Sequence, residues 1–526
     1  MACIIHRDTE PPRLEFPPSY NAAVDLLAGS RQWPNKVAYI QGDTGGELTY
    51  ADLHRQAHLW ASVLQADGFE PEQRVMLAMH DTLEWPVAFL GCILAGVVPI
   101  AVNTLLTAKD FEFMLRDSRA KGLIASAALM PHFEPLLDGR LPALQKVYVG
   151  SGTSPSAHDR MGDRMGQVQP LAQVADTRPD DACFWLYSSG STGSPKGTVH
   201  LHSHLMPTAV LYGQSILGIR HDDVVYSAAK LFFAYGLGNA LTFPLSVGAT
   251  TVLWPGRPTP DDVFGVIQRH QPTIFYGVPT LYASLLAHPG KPLAREIRLR
   301  VCTSAGEALP AEIGHHWQVA YGCEILDGIG STEMLHIFLS NRPGQVRYGT
   351  TGQAVPGYEL RLINDDGLEC AVGELGELQI KGPSAALLYW GNRAKTKATF
   401  CGEWTRSGDK YSRDADGYYT YGGRSDDMLK VGGIYVSPFE VEASLMTHAA
   451  VLEAAVIGVP DEEGLIKPKA YVVLKAGQQA SVDELKAHVK AQLAPYKYPR
   501  WIELISELPK TATGKIQRFK LRATRT

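Results

Sequence analysis

The stretch Tyr187–Gly197, YSSGSTGSPKG, combines glycines, hydroxyl side chains and one lysine. It follows the apolar run CFWL (183–186), which predicts a strand. Glycines let the main chain turn tightly, so that N–H groups converge on an anion, and Lys196 adds a positive charge. It is not a Walker A loop, because Pro195 precedes the lysine and no Gly-Lys-Ser/Thr stands at the required spacing. Taken alone, the stretch predicts a phosphate-binding loop or, equally well, a Ser/Gly-rich surface loop.

Outward from this loop, helix-like and strand-like segments alternate through most of the chain. The helical pattern ADLHRQAHLWASVLQADG (51–68) runs into short β-branched segments such as RVMLAMH (74–80), VVPIAV (97–102) and TTVLW (250–254). Such alternation is typical of α/β layers with largely parallel sheets. We therefore predict the α/β class, with a large N-terminal domain of stacked α/β sheets that includes a small β subdomain.

The composition and the pattern of the sequence change near residue 425. The Gly-rich, charged segment GGRSDDMLKVGG (422–433) indicates a hinge. A helical pattern, SPFEVEASLMTH (437–448), then precedes two strand patterns and a second helical pattern. About a hundred residues can fold alone, so we predict a small mobile α+β domain. The expected boundaries are 1–424 for the N-terminal domain, 425–427 for the hinge and 428–526 for the C-terminal lid domain.

Composition excludes several classes of protein. The 526 residues exceed one ordinary core, and the net charge of -5 comes without a basic stripe, so we expect no nucleic-acid partner. The seven cysteines lie far apart, without disulfide or zinc spacing. The N-terminus becomes charged and Pro-rich too early for a signal peptide. These features predict a cytoplasmic protein, and either a monomer or a homodimer is compatible with them.

Two segments offer alternatives that we do not favour. Residues Trp85–Ala108 carry no charge, as a membrane span would, but Gly91, Gly96 and Pro99 interrupt them. We expect a buried helix followed by a buried strand, and no contact with a membrane. His200, His202 and His204 alternate as zinc ligands on one strand face would, but they lack a supporting carboxylate nearby, so we expect no zinc site.

The loop closely resembles the phosphate-binding signature of the adenylate-forming superfamily. This superfamily comprises acyl-CoA synthetases, aryl-CoA ligases, firefly-type luciferases and the adenylation domains of peptide synthetases. The resemblance recurs in order along nearly the whole chain. The further matching segments are Ser304–Leu309 (SAGEAL), Gly328–Glu333 (GIGSTE), Arg406–Asp409 (RSGD), Gly423–Asp427 (GRSDD) and Thr513–Ile516 (TGKI). The resemblance implies that adenine stacks against the SAGEAL segment, that Asp409 binds both ribose hydroxyls and that Arg424 lies near the ribose.

The resemblance implies ATP, Mg²⁺ and coenzyme A as cofactors. Lys515 would be the catalytic lysine, bridging carboxylate and α-phosphate as a compact charge. Thr332 would contact phosphate, and Glu333 would help to hold magnesium. Asp426 would be the hinge pivot, and Gly433 would line the pantetheine tunnel. The other residues implied to bind nucleotide or CoA are Ser188, Ser189, Gly190, Ser191, Thr192, Gly193, Lys196, Ser304, Ala305, Gly306, Glu307, Asp327, Gly328, Ile329, Asp409, Arg424 and Gly432.

The implied chemistry has two halves. A carboxylate is a poor acylating agent because its leaving group would be oxide, whereas attack on the α-phosphorus of ATP gives an acyl-adenylate and releases pyrophosphate. Residues 1–424 would perform this adenylation under the lid 428–526. Rotation about 425–427 would then exchange the lysine face for a tunnel that positions the CoA thiol.

The segment Leu231–Asn239, LFFAYGLGN, matches the aromatic gate of this superfamily. Peptide-synthetase adenylation domains carry Asp where Phe233 falls, and without that counter-charge an amino-acid substrate is not expected. We expect an apolar, aromatic acyl pocket with one polar edge, which suits a flat ring. The residues expected to line it are Phe232, Ala234, Tyr235, Gly236, Gly328, Ile329, Gly330, His336 and Ile337.

The strings FFAYGLGNAL and STEMLHIF resemble bacterial benzoate–CoA ligases, so we expect benzoate or a close aromatic carboxylate as the substrate. Other aryl acids, such as hydroxybenzoate, aminobenzoate or cinnamate, stay open, as does an enzyme that loads a carrier protein. His336 is equally compatible with substrate contact and with packing against a bonded neighbour. A binding-only protein would have lost Lys515, Glu333 or Asp409, and all three are present.

Overall fold

A computed structural model describes residues 2–150, 152, 158–189, 195–424, 428–431, 434–461, 465–493, 497–510 and 516–523. The strands are β1 Ile4–His6, β2 Arg13–Glu15, β3 Val37–Gln41, β4 Glu47–Thr49, β5 Arg74–Ala78, β6 Val98–Ala101, β7 Gly122–Ala125, β8 Lys146–Val149, β9 Asp159–Arg160, β10 Ala182–Ser189, β11 Pro195–Leu201, β12 Val224–Ser227, β13 Thr250–Leu253, β14 Ile274–Gly277, β15 Val301–Ser304, β16 Ile325–Gly330, β17 Ile337–Ser340, β18 Gln353–Ala354, β19 Glu359–Ile363, β20 Gly376–Lys381, β21 Leu388–Tyr389, β22 Phe400–Cys401, β23 Trp404–Arg413, β24 Tyr419–Arg424, β25 Leu429–Val431, β26 Ile434–Val436, β27 Val451–Pro460, β28 Ile466–Leu474 and β29 Trp501–Leu504.

Helices alternate with these strands. The α-helices are α1 Ala22–Leu26, α2 Gly29–Gln32, α3 Tyr50–Ala66, α4 Glu84–Leu94, α5 Ala108–Ser118, α6 Met130–Phe133, α7 Met161–Met165, α8 Leu205–Thr208, α9 Ala234–Leu237, α10 Phe243–Val247, α11 Pro260–His270, α12 Pro279–Ala287, α13 Ala311–Tyr321, α14 Arg393–Thr399, α15 Pro438–Met446, α16 Val482–Gln492 and α17 Arg518–Ala523. Short 3₁₀ helices span Ala127–Leu129, Glu134–Leu136, His202–His204 and Ala294–Glu296, and π-helical turns span Ala209–Gln214 and Gly238–Thr242.

Local sequence sets several helix starts. Thr107, Thr259 and Ser481 each cap a helix and form a capping box with the acidic residue three positions on. In such a box the cap side chain and the acidic side chain satisfy main-chain N–H groups that the helix leaves unpaired. Helices α5, α11 and α16 therefore begin directly after these capping residues.

Two large sheets carry the N-terminal part. One has eight strands in the order β21-β11-β10-β6-β5-β7-β8-β9, and the other has nine in the order β18-β17-β16-β15-β14-β12-β13-β3-β4. Their central strands pair in parallel, and antiparallel strands stand toward the edges. This arrangement confirms the predicted α/β class, because parallel strands need the crossover helices that the sequence pattern indicated.

Smaller sheets complete the structure. Strands β19, β20, β23 and β22 form a sheet that β24 joins through β23, which matches the expected small β subdomain. Strands β27, β28 and β29 form a separate sheet next to α15 and α16. The C-terminal pattern predicted both helices and the first two of these strands, whereas β29 was not predicted. The domain boundaries at 424 and 428 stay predictions.

The uncharged stretch from residue 85 onward folds inside the N-terminal part. Its first portion belongs to α4, which is buried along nearly its whole length, and its second portion includes the buried strand β6. The prediction of a buried helix followed by a buried strand is thereby confirmed. Among the described residues, no helix combines the length and the apolar character needed to cross a bilayer.

Candidate active site

The phosphate-loop stretch is framed by a hairpin. Strands β10 and β11 pair antiparallel, with Ser188 opposite Lys196. The hydroxyl oxygen of Ser188 is buried and has no hydrogen-bond partner in the described part of the chain. Burial lowers the pKa of Lys196, and the nearby charge of Glu333 opposes that effect. A partly desolvated ammonium beside an unsatisfied hydroxyl suits an anionic ligand, because either group buried alone costs free energy.

Thr332 and Glu333 lie in the turn between β16 and β17. Within it Leu335 adopts a φ of 65°, and a Cβ at Gly330 would come within 2.6 Å of the main-chain carbonyl oxygen of His336. Only glycine therefore fits at the start of this turn. The Nε2 atom of His200 hydrogen-bonds to the carbonyl oxygen of Thr332 at 2.7 Å. Burial lowers the pKa of His200 to about 4, so the ring is neutral and donates from Nε2.

A tyrosine that the sequence analysis did not single out holds the Glu333 carboxylate. The hydroxyl of Tyr389 donates a hydrogen bond to Oε1 of Glu333 at 2.6 Å. The ammonium of Lys196 lies 5.1 Å from the centre of the Tyr389 ring. Tyr389 thus joins two predicted site residues, and only the pairing of β21 with β11 brings it there. Its sequence context, GPSAALLYWG (382–391), carries no polar or glycine pattern that marks it.

The implied adenine segment follows β15. Ser304 pairs with Asp327 in the parallel register of β15 and β16, so both face the carboxyl edge of the nine-stranded sheet, where open α/β sheets bind ligands. The hydroxyl of Ser304 is buried without a hydrogen-bond partner among the described residues. Gly306 has a φ of 94° and turns the chain away from the strand. The Asp327 carboxylate accepts a hydrogen bond from the N–H of Leu309 at 3.2 Å, and burial raises its pKa.

The implied ribose residues face each other across two strands. Asp409 of β23 stands directly opposite Arg424 of β24. The Nη1 atom of Arg424 lies 3.4 Å from Oδ1 of Asp409 and also donates to the carbonyl oxygen of Ser407 at 3.3 Å. Gly408, with a φ of 74°, leaves room for the guanidinium, because a Cβ there would lie 3.0 Å from Nη2 of Arg424. The structure therefore brings this predicted pair together.

The expected acyl pocket centres on His336. Its Nε2 atom lies 3.1 Å from Oδ1 of Asn239 and 3.2 Å from the carbonyl oxygen of Tyr235. The rings of Tyr212, Tyr235 and Phe243 surround it at centroid distances of 4.5 to 5.6 Å. Burial lowers the pKa of His336 to about 3, so the ring is neutral. These bonds are those of a packed histidine, and contact with a substrate stays a prediction.

The gate segment is tied to the large sheet. The hydroxyl of Tyr235 lies 2.5 Å from Oγ1 of Thr303 and donates to the carbonyl oxygen of Gly277 at 3.3 Å. A Cβ at Gly236 would come within 2.0 Å of the carbonyl oxygen of Lys230, which explains the glycine. Five further residues were predicted to line the pocket. Phe232 and Ala234 belong to the gate segment and are buried, and Gly328, Ile329 and Ile337 belong to the paired strands β16 and β17.

Several predicted site residues lie outside the described residues. They are Gly190, Ser191, Thr192, Gly193, Asp426, Gly432, Gly433 and Lys515. The side chain of Ser189 is likewise not described, although its main chain belongs to β10. Their roles stay predictions.

The described residues fit a magnesium–nucleotide complex. Magnesium prefers oxygen ligands and usually takes one or two carboxylates together with substrate phosphates. Glu333 supplies such a carboxylate beside Lys196, and the buried hydroxyls of Ser188 and Ser304 have no hydrogen-bond partner among the residues that the structure describes. The part of the chain that the structure describes has no cluster of three or more His, Cys, Asp or Glu side chains that could hold a metal alone. The three alternating histidines instead make internal bonds: His200 to Thr332, His202 to Ala22, and His204 to His200.

Two family models match the chain. Residues 27–390 match the model described as AMP-binding enzyme, and residues 440–515 match the AMP-binding enzyme C-terminal domain.

Characterised relatives match over nearly the full length. The chain is 58% identical to the benzoate–CoA ligase of Thauera aromatica, over 98% of both chains. It is 48% identical to the 4-hydroxybenzoate–CoA/benzoate–CoA ligase of Rhodopseudomonas palustris, over 96% of this chain and 94% of that one. Among solved structures, a benzoate–CoA ligase from Burkholderia xenovorans LB400 superposes with a TM-score of 0.89 at 54% identity, covering 96% of this chain and all of that one.

Proposed function

Because the chain belongs to the AMP-binding enzyme family, we propose that it is an ATP-dependent, AMP-forming ligase that joins benzoate or a close aromatic carboxylate to coenzyme A. The membership confirms the resemblance to adenylate-forming enzymes that the motifs indicated. The expected reaction makes an acyl-adenylate with release of pyrophosphate and then transfers the acyl group to the CoA thiol. The identity to characterised benzoate–CoA ligases supports benzoate as the acid.

One structural observation carries the proposal. The single turn from Ser331 to His336 bears Glu333 near its start and His336 at its end. Glu333 is held beside Lys196, whereas His336 lies among three aromatic rings. One short segment therefore joins the proposed triphosphate end of the site to the proposed aromatic box for the acid, which supports a preorganised arrangement of the two. Such preorganisation is what an in-line attack of carboxylate on the α-phosphorus requires.

Charge neutralisation is the first task of the site. Carboxylate and triphosphate repel one another, and Lys196 together with the main-chain N–H groups of the loop would offset that repulsion. Magnesium, when bound at Glu333, would supply Lewis-acid charge to the phosphate oxygens. Lys515 would stabilise the charge that develops between the acid and the α-phosphate.

The two halves of the reaction would use different placements of the C-terminal residues. Residues 1–424 would bind ATP and the acid, residues 428–526 would cover them, and Asp426 in 425–427 would be the pivot. Gly432 and Gly433 would then leave space for the pantetheine arm. A cytoplasmic location and free CoA as the acceptor complete the proposal.

The deciding experiment measures acid-dependent release of pyrophosphate from ATP, with and without CoA. The acids are benzoate, 3- and 4-hydroxybenzoate, 2-aminobenzoate, cinnamate and butyrate. We expect turnover on benzoate that CoA stimulates and that yields benzoyl-CoA. The isosteric variant Glu333→Gln should lose most of this activity while keeping its circular dichroism spectrum.

Each other outcome has a defined meaning. Turnover on butyrate alone would retain the ligase and reject the aromatic box. Pyrophosphate release without CoA stimulation or thioester would favour an enzyme that loads a carrier protein, which a phosphopantetheinylated acceptor would test. An absence of pyrophosphate release with every acid would reject the proposed function.

A further inference from the structure

Tyr389 lies where two elements of the site meet. It belongs to the edge strand β21, opposite Thr198 of β11, and only 3% of its surface is exposed. The N–H of the following residue, Trp390, donates to the carbonyl oxygen of Gly197 at 2.7 Å. Tyr389 is therefore fastened to the strand that carries Lys196.

The surroundings of the Tyr389 hydroxyl make it a hydrogen-bond donor. A carboxylate has acceptor atoms only, so in the pair with Glu333 the tyrosine hydroxyl is the donor. The hydroxyl donates a hydrogen bond to Oε1 of Glu333 at 2.6 Å, within the range of charge-assisted O–H···O⁻ bonds. One carboxylate oxygen is thus fixed.

The ring of Tyr389 holds a second charge. The ammonium of Lys196 lies 5.1 Å from the ring centre, within the range of cation–π attraction. Within the described residues, no ion pair of 4.0 Å or less joins Lys196 to Glu333, although both charges sit beside the same tyrosine. A direct ion pair would occupy the carboxylate oxygens that a cation needs.

We propose that Tyr389 is a positioning residue that keeps the Glu333 carboxylate available to magnesium and the Lys196 ammonium available to phosphate. The hydroxyl orients the carboxylate, and the ring attracts the ammonium, which therefore does not need to pair with the carboxylate. The inference rests on the proposed ligase function and extends it to a residue outside the recognised sequence motifs.

A purely structural role makes a different prediction. Tyr389 also lies 5.4 Å from the ring of Phe400, so its ring contributes to local packing. Tyr389→Phe keeps the ring and removes only the hydroxyl, whereas Tyr389→Leu removes both. If Tyr389 serves only in packing, Tyr389→Phe should bind metal as wild type does. If Tyr389 positions Glu333, Tyr389→Phe should bind metal more weakly.

The test measures metal affinity directly. Mn²⁺ binding to the full-length protein is followed by electron paramagnetic resonance, with the non-hydrolysable α,β-methylene ATP present. Loss of a hydrogen-bond partner that orients a metal ligand typically costs about tenfold to a hundredfold in metal affinity, so Mn²⁺ binding should weaken by roughly tenfold or more in Tyr389→Phe. Binding of the same nucleotide in EDTA should stay within about twofold of wild type for Tyr389→Phe and fall in Tyr389→Leu.

A matched control removes an equivalent bond elsewhere. The hydroxyl of Tyr148 donates to Oδ2 of Asp67 at 2.6 Å, so Tyr148→Phe also deletes a tyrosine–carboxylate bond, and it should leave Mn²⁺ affinity unchanged. Wild-type Mn²⁺ affinity in Tyr389→Phe would overturn the positioning role alone. A loss of nucleotide binding in EDTA by Tyr389→Phe as large as its loss of Mn²⁺ binding would also overturn it, because the effect would then not be specific to the metal. A wild-type protein that binds no Mn²⁺ with the nucleotide and releases no pyrophosphate would overturn both proposals.

Discussion

The main-chain N–H of Ile516 donates a hydrogen bond to Oε1 of Glu307 at 3.0 Å. This bond joins the C-terminal segment to the segment that follows β15, the implied adenine site. Ile516 also bridges to Lys510, and the N–H of Gln517 donates to the carbonyl oxygen of Pro509 at 2.8 Å. Ile516, the residue that follows Lys515 in the sequence, therefore lies beside the segment that the resemblance assigns to the nucleotide.

Replacing Lys515 by alanine should separate the two half-reactions. Ile516, its neighbour in sequence, bonds to Glu307 of the implied nucleotide segment, and the expected role of Lys515 is to stabilise the charge of the first transition state. We expect Lys515→Ala to lower benzoyl-AMP formation by roughly 100-fold or more, as removal of one such donor does in other enzymes. Thioester formation from synthetic benzoyl-AMP and CoA should persist. Benzoyl-AMP formation at the normal rate would show that this role is wrong.

Removing the Glu307 carboxylate should weaken the docking of the C-terminal segment. A hydrogen bond to a charged acceptor contributes about 1.5 to 3 kcal/mol, so Glu307→Ala should slow benzoyl-AMP formation by roughly tenfold or more. Glu307→Gln keeps an acceptor oxygen and should lie between alanine and wild type. Single-turnover kinetics for each half-reaction provides the measurement. Equal slowing of both half-reactions would contradict a docking role.

Adding one methyl group at Gly238 should disturb the acyl pocket. A Cβ there would lie 2.3 Å from Cδ2 of His336, and the bond to Asn239 limits how far the ring can retreat. We expect Gly238→Ala to lower kcat/KM for benzoate by at least about tenfold and to cost about 1 to 3 kcal/mol of stability. ATP binding, measured by calorimetry, should be preserved.

Gly265 in helix α11 provides the control for that substitution. A Cβ there meets nothing within 4 Å, so Gly265→Ala should be neutral or should stabilise the helix by up to about 1 kcal/mol. If Gly238→Ala retained the benzoate kcat/KM of wild type, the ring of His336 would not shape the pocket.

Acid should destabilise the protein through buried histidines. Burial lowers the pKa of His202 to about 4, and its Nδ1 accepts a hydrogen bond from the N–H of Ala22 at 3.1 Å. In the unfolded chain the His202 ring is protonated near its ordinary pKa of about 6.5. The stability that the neutral, buried ring contributes is therefore complete above that pH and is lost as pH falls toward 4. As pH falls through this window, the free energy of unfolding of wild type should drop relative to that of His202→Gln by about 1.4 kcal/mol for each pH unit.

Urea unfolding at a series of pH values between 7 and 4.5 measures that difference. Comparison with the variant removes the opposite contribution of buried carboxyl groups such as Asp81, whose pKa burial raises to about 6. A difference between variant and wild type that does not change with pH would contradict a neutral, buried His202.

Much of the site was predictable from short segments. Lys196, Glu333, Asp409 and Arg424 each lie in a motif whose order along the chain indicated the family, and the structure places Lys196 near Glu333 and Asp409 opposite Arg424. The α/β class followed from the alternation of patterns, because hydrophobic period reports local structure directly. His336 was placed in the pocket region, but its bonds to Asn239 and Tyr235 could not be read from spacing.

The layered α/β architecture and the identity of the motif residues could be read from the sequence, since they depend on local pattern and residue type. Which distant residues support the motif residues depends on how the strands and helices pack together. Tyr389 reaches Glu333 because β21 adds to the edge of β11, and His200 reaches Thr332 from the strand after the phosphate loop. Strand neighbours in a sheet are chosen by burial and pairing across long sequence separations, which no local pattern encodes.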